Sequence, residues 1–236
     1  MLEVSHKVKE IYPNIKFGVM VINITHSKPN KENFLVLKNS TIKNIIEQHP
    51  EYNRKEKIKT EPVSSYIKYY KKFKKTYPVL LQLESILLKS KGIPDVGVTI
   101  ESMFLAELKN LLLTAGHDLD KMELPLKIEL ANGSEHFYGI GGKEHILTKD
   151  DLFLSDNIGI LSSILNGPDN RTAITKDTKN IMYFVYGPDK ISEKQIQDHL
   201  NDIKHYISSA FPDLKVNSID FMSLWALWYL RFISHQ

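Results

Sequence analysis

The sequence predicts an α+β protein, because helical and strand patterns occupy different stretches of the chain. Between Pro62 and Ala115, apolar residues recur at three-to-four spacing, which is typical of amphipathic helices. Between Phe137 and Val185, short apolar runs alternate with turn residues, which is typical of an antiparallel or mixed sheet. Ser192 and Gln195 form a capping-box pattern that predicts a further helix.

The N-terminal region predicts one strand and one helix. Ile15 to Thr25 is rich in β-branched residues and predicts a strand, followed by a polar loop over Ser27 to Glu32. Ser40-Thr41 can cap a helix that stops near Pro50. Tyr52 to Glu61 is charged and is expected to be irregular.

Prolines mark the start of two helices in the stretch that follows. Pro62 opens a helix through Thr76, Pro78 starts a second one, and Ile100 to Ala115 predicts a third. The inward face of the first helix is predicted to hold Val63, Tyr66, Ile67, Tyr70 and Phe73.

The strand region begins with Leu124 to Leu130 and ends with Ile181 to Val185. Asn132-Gly133 is interpreted as a hairpin turn and Gly141-Gly142 as a tight turn. A loop is predicted from Asn166 to Asn170.

The C-terminal residues predict two more helices. The first begins at Ser192 and ends at Pro212, and Ser218 can cap the second. Trp225, Trp228 and Phe232 give that second helix an apolar face, which we expect to pack on the core or on a second copy of the chain rather than in a membrane.

Composition narrows the class of protein. The 236 residues are 42% apolar and include no cysteine, so disulfide and thiolate chemistry are excluded. The N-terminus carries no apolar run, and a cytoplasmic location is therefore expected. Charge is uneven, since residues 1–91 hold 18 basic and 8 acidic side chains. This asymmetry indicates either contact with a polyanion or a solvated lysine-rich surface.

Lysines fill the outer face of the helix that Pro62 opens. They are the candidate RNA-binding residues, because ammonium groups release counterions from phosphates. Tyr69 and Tyr70 can stack on bases if they are exposed. The alternative is that the tyrosines are core and the lysines merely solvated. The candidate set is Lys68, Lys71, Lys72, Lys74 and Lys75.

Other motifs fail the spacing that their chemistry requires. Gly139 to Gly142 lacks the third glycine of a dinucleotide loop, and Ser162-Ser163 lack an elbow glycine. His199 and His205 share a helix without metal-ligand spacing. The sequence therefore predicts no metal and no cofactor.

A set of short motifs occurs in a fixed order along the chain: His117 to Met122, Ile140 to Glu144, Leu147, Asp151 to Asp156 and Lys176 to Ile181. In this order and spacing they resemble the B3/B4 domain of the phenylalanyl-tRNA synthetase beta subunit. Asn170 to Thr178 resembles a free-standing version of that domain more closely, and the whole resemblance extends from Tyr12 to about Phe211.

The resemblance implies a three-layer sheet/sheet/helix fold of the editing-domain type, as also in the C-terminal domain of tRNA-lysidine synthetase. In the synthetase this domain hydrolyses tyrosine wrongly attached to the phenylalanine tRNA, with an arginine, a histidine, a glycine and a glutamate. The motifs place Pro94, Ala115, Pro168 and Phe184 at those positions. Such side chains cannot position water or hold a phenolic hydroxyl in the same way.

His117 and Arg171 are the remaining candidate catalytic groups, and no catalytic residue is assigned. The expected pocket lies between the Gly92 to Val98 loop, His117 and the Asn166 to Thr172 loop. Its expected lining is Pro94, Ala115, His117, Asn166, Pro168, Arg171, Thr172 and Phe184.

Three functions stay open at this point. The first is a stand-alone module that binds RNA or tRNA and does not aminoacylate. The second is a trans-acting hydrolase of misacylated tRNA, and the third is a small-ligand or protein-interaction module. We expect residues 1–91 to pack with an editing-like core of residues 92–211, followed by an apolar helix over 212–236.

Overall fold

A computed structural model describes residues 2–24 and 28–223 of the chain. It confirms the predicted α+β class. The helices are α1 His6–Ile11, α2 Lys31–Glu47, α3 Arg54–Lys57, α4 Val63–Lys72, α5 Pro78–Lys89, α6 Val98–Asn110 and α7 Glu193–Ala210. The strands are β1 Leu2–Val4, β2 Lys16–Asn23, β3 Leu113–Asp118, β4 Leu126–Leu130, β5 His136–Tyr138, β6 Glu144–Ile146, β7 Leu152–Ser155, β8 Ile160–Ser163, β9 Gly167–Pro168, β10 Asn180–Gly187 and β11 Lys215–Ser223.

A four-stranded antiparallel sheet lies at the centre, in the order β11-β2-β10-β3. Strand β10 is buried almost throughout and pairs with β2 and β3 on its two sides. A strand with neighbours on both sides and cover on both faces is expected to be continuously apolar, as Ile-Met-Tyr-Phe-Val is here.

A five-stranded sheet in the order β1-β4-β7-β8-β9 forms the second layer. Strands β1 and β4 run parallel, and the other pairs are antiparallel. Strands β5 and β6 form a separate hairpin, whose turn holds Gly141 and Gly142 at φ of 82° and 78°. These left-handed angles explain why glycine occupies the predicted tight turn.

The layers stack in the order sheet, sheet, helix. Between the two sheets, Tyr186 Oη lies 2.8 Å from Ser162 Oγ. Helices α6 and α7 cover the other face of the four-stranded sheet, and α2 packs on these two helices. Strand β2 and α7 are so close that a Cβ on Gly18 would lie 2.3 Å from Ile196 Cγ2. The predicted three-layer arrangement is therefore confirmed.

Several predicted helix starts are also confirmed. Pro78 is in the first turn of α5, and α4 follows Pro62. Ser192 and Gln195 make both hydrogen bonds of a capping box at α7. In contrast, Ser40 and Thr41 lie inside α2, because the side chain of Asn30 already caps it by accepting from Asn33 N at 3.1 Å.

The predicted third helix is too long. Helix α6 ends at Asn110, and Leu111 takes a left-handed φ of 55° before β3 begins. The chain leaves the helix here because Leu113 to Asp118 pair with β10. Asn132-Gly133 is likewise a turn but not a hairpin, since β4 and β5 belong to different sheets.

The predicted helix beginning at Ser218 is wrong over residues 218–223, which belong to β11. Val216, Ile219 and Phe221 pack towards the core, whereas Lys215 and Asp220 are exposed. A bulge between Val216 and Ser218 interrupts that alternation, which is why the period of two is hard to recognise in the sequence. Trp225, Trp228 and Phe232 lie outside the described residues.

Across residues 2–24 and 28–223, no helix combines the length and apolar character needed to cross a bilayer.

Candidate nucleic-acid interface

Helix α4 has one buried aromatic face and one exposed basic face. Tyr66, Tyr69 and Tyr70 are buried to 2% exposure or less. The predicted helix through Thr76 is too long, because α4 ends at Lys72 and Lys74 turns away with a left-handed φ of 55°. Lys68, Lys71 and Lys72 on α4, and Lys74 and Lys75 just after it, are all exposed, and we call them the α4 lysine face. The condition for base stacking on Tyr69 and Tyr70 is therefore not met. These tyrosines are core residues, while the lysine side chains point to solvent.

Tyrosine hydroxyls fix α4 to both sheets. Tyr66 Oη donates to Tyr186 O of β10 at 2.5 Å. Tyr69 Oη donates to Asp151 Oδ1 at 2.8 Å, and Tyr70 Oη donates to Ile164 O at 2.5 Å. Because each buried hydroxyl has a partner, the helix is held in place without unpaired polar groups at these positions.

Asp151 is a fully buried carboxylate below α4. Its Oδ1 accepts the bond from Tyr69, whereas its Oδ2 has no hydrogen-bond partner among the described residues. Burial raises the pKa of Asp151 to about 6. The attachment of α4 to β7 therefore includes a group that titrates near neutral pH.

The α4 lysine face makes few contacts with other side chains. Lys68 Nζ lies 3.5 Å from Asp189 Oδ2, and Lys75 Nζ donates to Asn166 Oδ1 at 3.3 Å. Lys72 Nζ lies over the ring of Tyr12, 4.5 Å from its centroid. Burial, and then the charge of Lys68, lower the pKa of Lys72. Most of the positive charge is thus available to an external anion.

Further basic groups border this face. Burial, followed by the charges of Lys143 and Lys75, lowers the pKa of His145 on β6. Lys149 lines a cavity together with Lys72 and Lys74. The sequence pattern does not single out Tyr12, Lys143 or Lys149, because they are distant from α4 along the chain.

The expected editing pocket is not formed by its predicted residues. Ala115 and Phe184 are direct partners in the β3–β10 register, and both are buried in the core. Phe184 packs edge-on against Tyr186, which reaches the five-stranded sheet. Pro94 is exposed in the loop before α6. Pro168 of β9 pairs with Ser162 of β8. Ala115 and Phe184 are therefore part of the hydrophobic core rather than the lining of a pocket.

His117 and Arg171 belong to one polar cluster below that core. His117 Nδ1 lies 2.8 Å from Thr172 Oγ1, and Thr172 Oγ1 also donates to Asp169. Arg171 donates to Asp156 Oδ1 at 2.9 Å and to Lys121 O at 2.6 Å. His117 is fully buried.

The electrostatics of this cluster keep His117 neutral. Burial and the nearby Arg171 lower the pKa of His117 to about 3. Its Nε2 has no hydrogen-bond partner among the described residues. Asn166, the remaining expected pocket residue, donates through Nδ2 to Ser163 Oγ at 3.0 Å. His117, Thr172 and Asp169 are thus the buried part of this network, whereas Arg171 is 29% exposed and lies at its rim.

Two of the motifs that resemble the B3/B4 domain form hydrogen bonds with each other. Thr178 Oγ1 donates to Asp118 Oδ2 at 2.8 Å, and Asn180 Nδ2 donates to Asp120 Oδ1 at 2.8 Å. These bonds tie the loop before β10 to the turn after β3. The motifs therefore have a structural role at the end of the central sheet.

A cleft of about 480 Å³ lies beside this loop. It is bounded by residues 96–100 and 174–179, and Lys31, Lys176 and Lys179 are among its lining residues. It shares residues 96–98 with the expected pocket, but its other wall is residues 174–179 instead of the Asn166 to Thr172 loop.

Comparisons with known proteins identify one family. A family model described as the B3/4 domain matches residues 64–209, which is more than half of the chain. One similar solved structure is an N-terminal fragment of the phenylalanyl-tRNA synthetase beta subunit from Pyrococcus horikoshii. The identity is 15% and the TM-score 0.47, and the match covers 92% of this chain and 50% of that fragment. The chain thus spans about half the length of the fragment. No curated protein matches the sequence.

Proposed function

The chain belongs to the B3/4 domain family, and we propose that it is an RNA-binding module that does not aminoacylate. Transfer RNA is the RNA class that the resemblance to the synthetase implies. The observation that carries the proposal is the α4 lysine face, exposed to solvent on a helix that buried tyrosines attach to both sheets.

Physical chemistry supports a phosphate ligand for this face. Lysines that neutralise phosphates release condensed counterions, which favours binding and makes it dependent on salt. The anchored helix holds its positive charges at fixed spacing, so less ordering is needed when a nucleic acid binds. The ion pair with Asp189 is long and exposed, and it competes only weakly with phosphate.

The hydrolase alternative has less support. A general base must reach the proton that it abstracts, and His117 is fully buried with a strongly lowered pKa. Arg171 is bound to Asp156 and to a backbone carbonyl. Exposing His117 would require the buried network around Thr172 to open, and Arg171 would have to leave Asp156.

Replacement of Lys68, Lys71, Lys72 and Lys75 by glutamine tests the proposal. We expect weaker tRNA binding and a smaller dependence of log K on log salt, by about one unit for each phosphate that the variant no longer neutralises. A matched control replaces Lys43, Lys89, Lys194 and Lys204, which are also exposed but lie on α2, α5 and α7.

The control distinguishes the effect of losing the α4 lysine face from the effect of losing the same total charge. Equal weakening by both sets would contradict a specific role for α4. Absence of tRNA binding by the unmodified protein at about 50 mM salt, where electrostatic binding is strong, would overturn the proposal. That result would favour a small ligand or a protein partner.

A further inference from the structure

We propose that a cavity beside the α4 lysine face is a subsite for one unpaired nucleotide of RNA. This inference rests on the proposed function and specifies which form of RNA the face takes. The cavity has a volume of about 470 Å³. Its lining includes Ile11, Tyr12, Lys72, Phe73, Lys74 and Lys149.

The lining combines the two kinds of group that an unpaired nucleotide needs. Lys72 is the last residue of α4, Lys74 lies in the turn after it, and Lys149 comes from the segment before β7. The exposed carboxylate of Asp150 also lines this cavity, but the three lysines outnumber it and leave the wall positive for a phosphate. Tyr12 and Phe73 provide aromatic surface for a base, and such stacking tolerates any base because each has a π face. The volume falls within the range of roughly 300–1,000 Å³ found for small-molecule sites.

Tyr12 is held in position by its neighbours. Its ring centroid lies 5.6 Å from that of Tyr69, with the planes inclined by 37°. Its hydroxyl donates to Asp150 O at 3.4 Å. Since Tyr69 is itself bound to Asp151, the ring of Tyr12 is connected to the same support as α4.

Lys72 already occupies the face of Tyr12 where a base would stack, with its Nζ 4.5 Å from the ring centroid. An exposed cation–π contact contributes only about two- to fivefold to an equilibrium constant. Stacking of a base on an aromatic side chain contributes about 5- to 100-fold. A base therefore displaces the exposed ammonium group, which becomes available to the adjacent phosphate.

A second cavity extends the subsite along α4. It has a volume of about 230 Å³, and its lining includes Tyr12, Lys68, Lys72 and the carboxylate of Asp189, 3.5 Å from Lys68 Nζ. Tyr12 and Lys72 thus stand between two cavities, and lysines occur in both. A single strand running along α4 can place phosphates on either side of a base at Tyr12. A duplex cannot do so, because its bases are stacked and paired.

The test compares binding of an unstructured single-stranded oligoribonucleotide with binding of a duplex of the same sequence. Tyr12→Leu is expected to weaken single-strand binding by about 5- to 100-fold and to leave duplex binding within about twofold. Tyr12→Phe keeps the ring and is expected to bind like the unmodified protein. Lys149→Gln is expected to weaken single-strand binding and reduce its salt dependence, whereas Lys204→Gln on α7 is not.

The outcomes separate this inference from the proposed function. If the quadruple lysine variant loses binding but Tyr12→Leu and Lys149→Gln do not, the subsite is overturned and the lysine face stands. Equal losses for single strand and duplex also overturn it. If the unmodified protein binds neither RNA, the proposed function fails as well. Should Tyr12→Leu not fold, the exposed Lys149 decides the result through its glutamine variant.

Discussion

The hydroxyl of Tyr69 donates a 2.8 Å hydrogen bond to Oδ1 of Asp151, and this bond joins α4 to the residue that precedes β7. Tyr69 Oη also accepts from Leu152 N at 2.7 Å. The fully buried carboxylate is thus placed directly below the lysine-bearing helix. Its protonation state affects the stability of that attachment.

Asp151→Asn should change how stability depends on pH. Burial raises the pKa of Asp151 from 3.8 to about 6, so the folded protein binds a proton more tightly than the unfolded chain. The contribution of Asp151 to the free energy of unfolding therefore falls as pH rises from about 4 to about 6. Relative to the unmodified protein, Asp151→Asn should gain on the order of 2–3 kcal/mol across that window.

Chemical denaturation of both proteins at several pH values measures this difference. His117, His199 and Glu107 also have shifted pKa values, but both proteins contain them, so their effects cancel in the comparison. A difference in the free energy of unfolding that does not vary between about pH 4 and pH 6 would contradict the prediction.

Tyr66→Phe should destabilise the protein more than Tyr183→Phe. Tyr66 Oη donates to the buried Tyr186 O and accepts from the half-buried Leu113 N, so its loss leaves two backbone groups without that partner. Tyr183 Oη makes a single bond, to Thr99 O. Each buried group left unpaired costs about 1–3 kcal/mol. Urea unfolding of the two variants checks the order, and equal losses would refute it.

Gly18→Ala should destabilise the protein by about 1–3 kcal/mol, because it overpacks the contact between β2 and α7. A Cβ at Gly18 would lie 2.3 Å from Ile196 Cγ2, whereas one at Gly159 meets nothing within 4 Å. Gly159→Ala is therefore the matched control and should be nearly neutral. Thermal unfolding that shifts equally in both variants would be inconsistent with this account.

The protein is expected not to deacylate tyrosyl-tRNA of the phenylalanine type above background. Loss of one group that stabilises an oxyanion typically costs about a hundredfold or more in rate. At the four positions expected from the family, the chain has Pro94, Ala115, Pro168 and Phe184, and two of these are buried in the core. An assay with purified protein and mischarged tRNA measures this. Turnover that His117→Ala abolishes would show that the editing site has moved.

Local signals in the sequence predict the helices best. The Ser192 and Gln195 capping box, the proline before α4 and the proline that begins α5 act within a few residues, so their structural meaning does not depend on the rest of the chain. The end of α6 carries no such signal. Leu111 enters the left-handed region without glycine, and the apolar run continues into β3.

The site can be predicted from the sequence only in part. The lysine pattern identifies the exposed face of α4, because spacing along one helix determines which side chains share a surface. The lysine pattern does not identify Tyr12 and Lys149, because only the folded chain brings them to Lys72 and Lys74. The register that places Ala115 opposite Phe184 is also a long-range property. It buries residues that the family motifs place in a pocket.

The order of the strands along the chain determines when the central sheet can form during synthesis. Strand β2 is synthesised before its partners β10 and β11, which end only at Gly187 and Ser223. Until they leave the ribosome, both edges of an eight-residue strand with a mostly apolar sequence stay unpaired, which favours strand addition between nascent chains. Such distant pairing also makes folding slow. Pulse-labelling hydrogen exchange during refolding should therefore show β2 protected late, and early amide protection of Phe17 to Ile22 would argue against it.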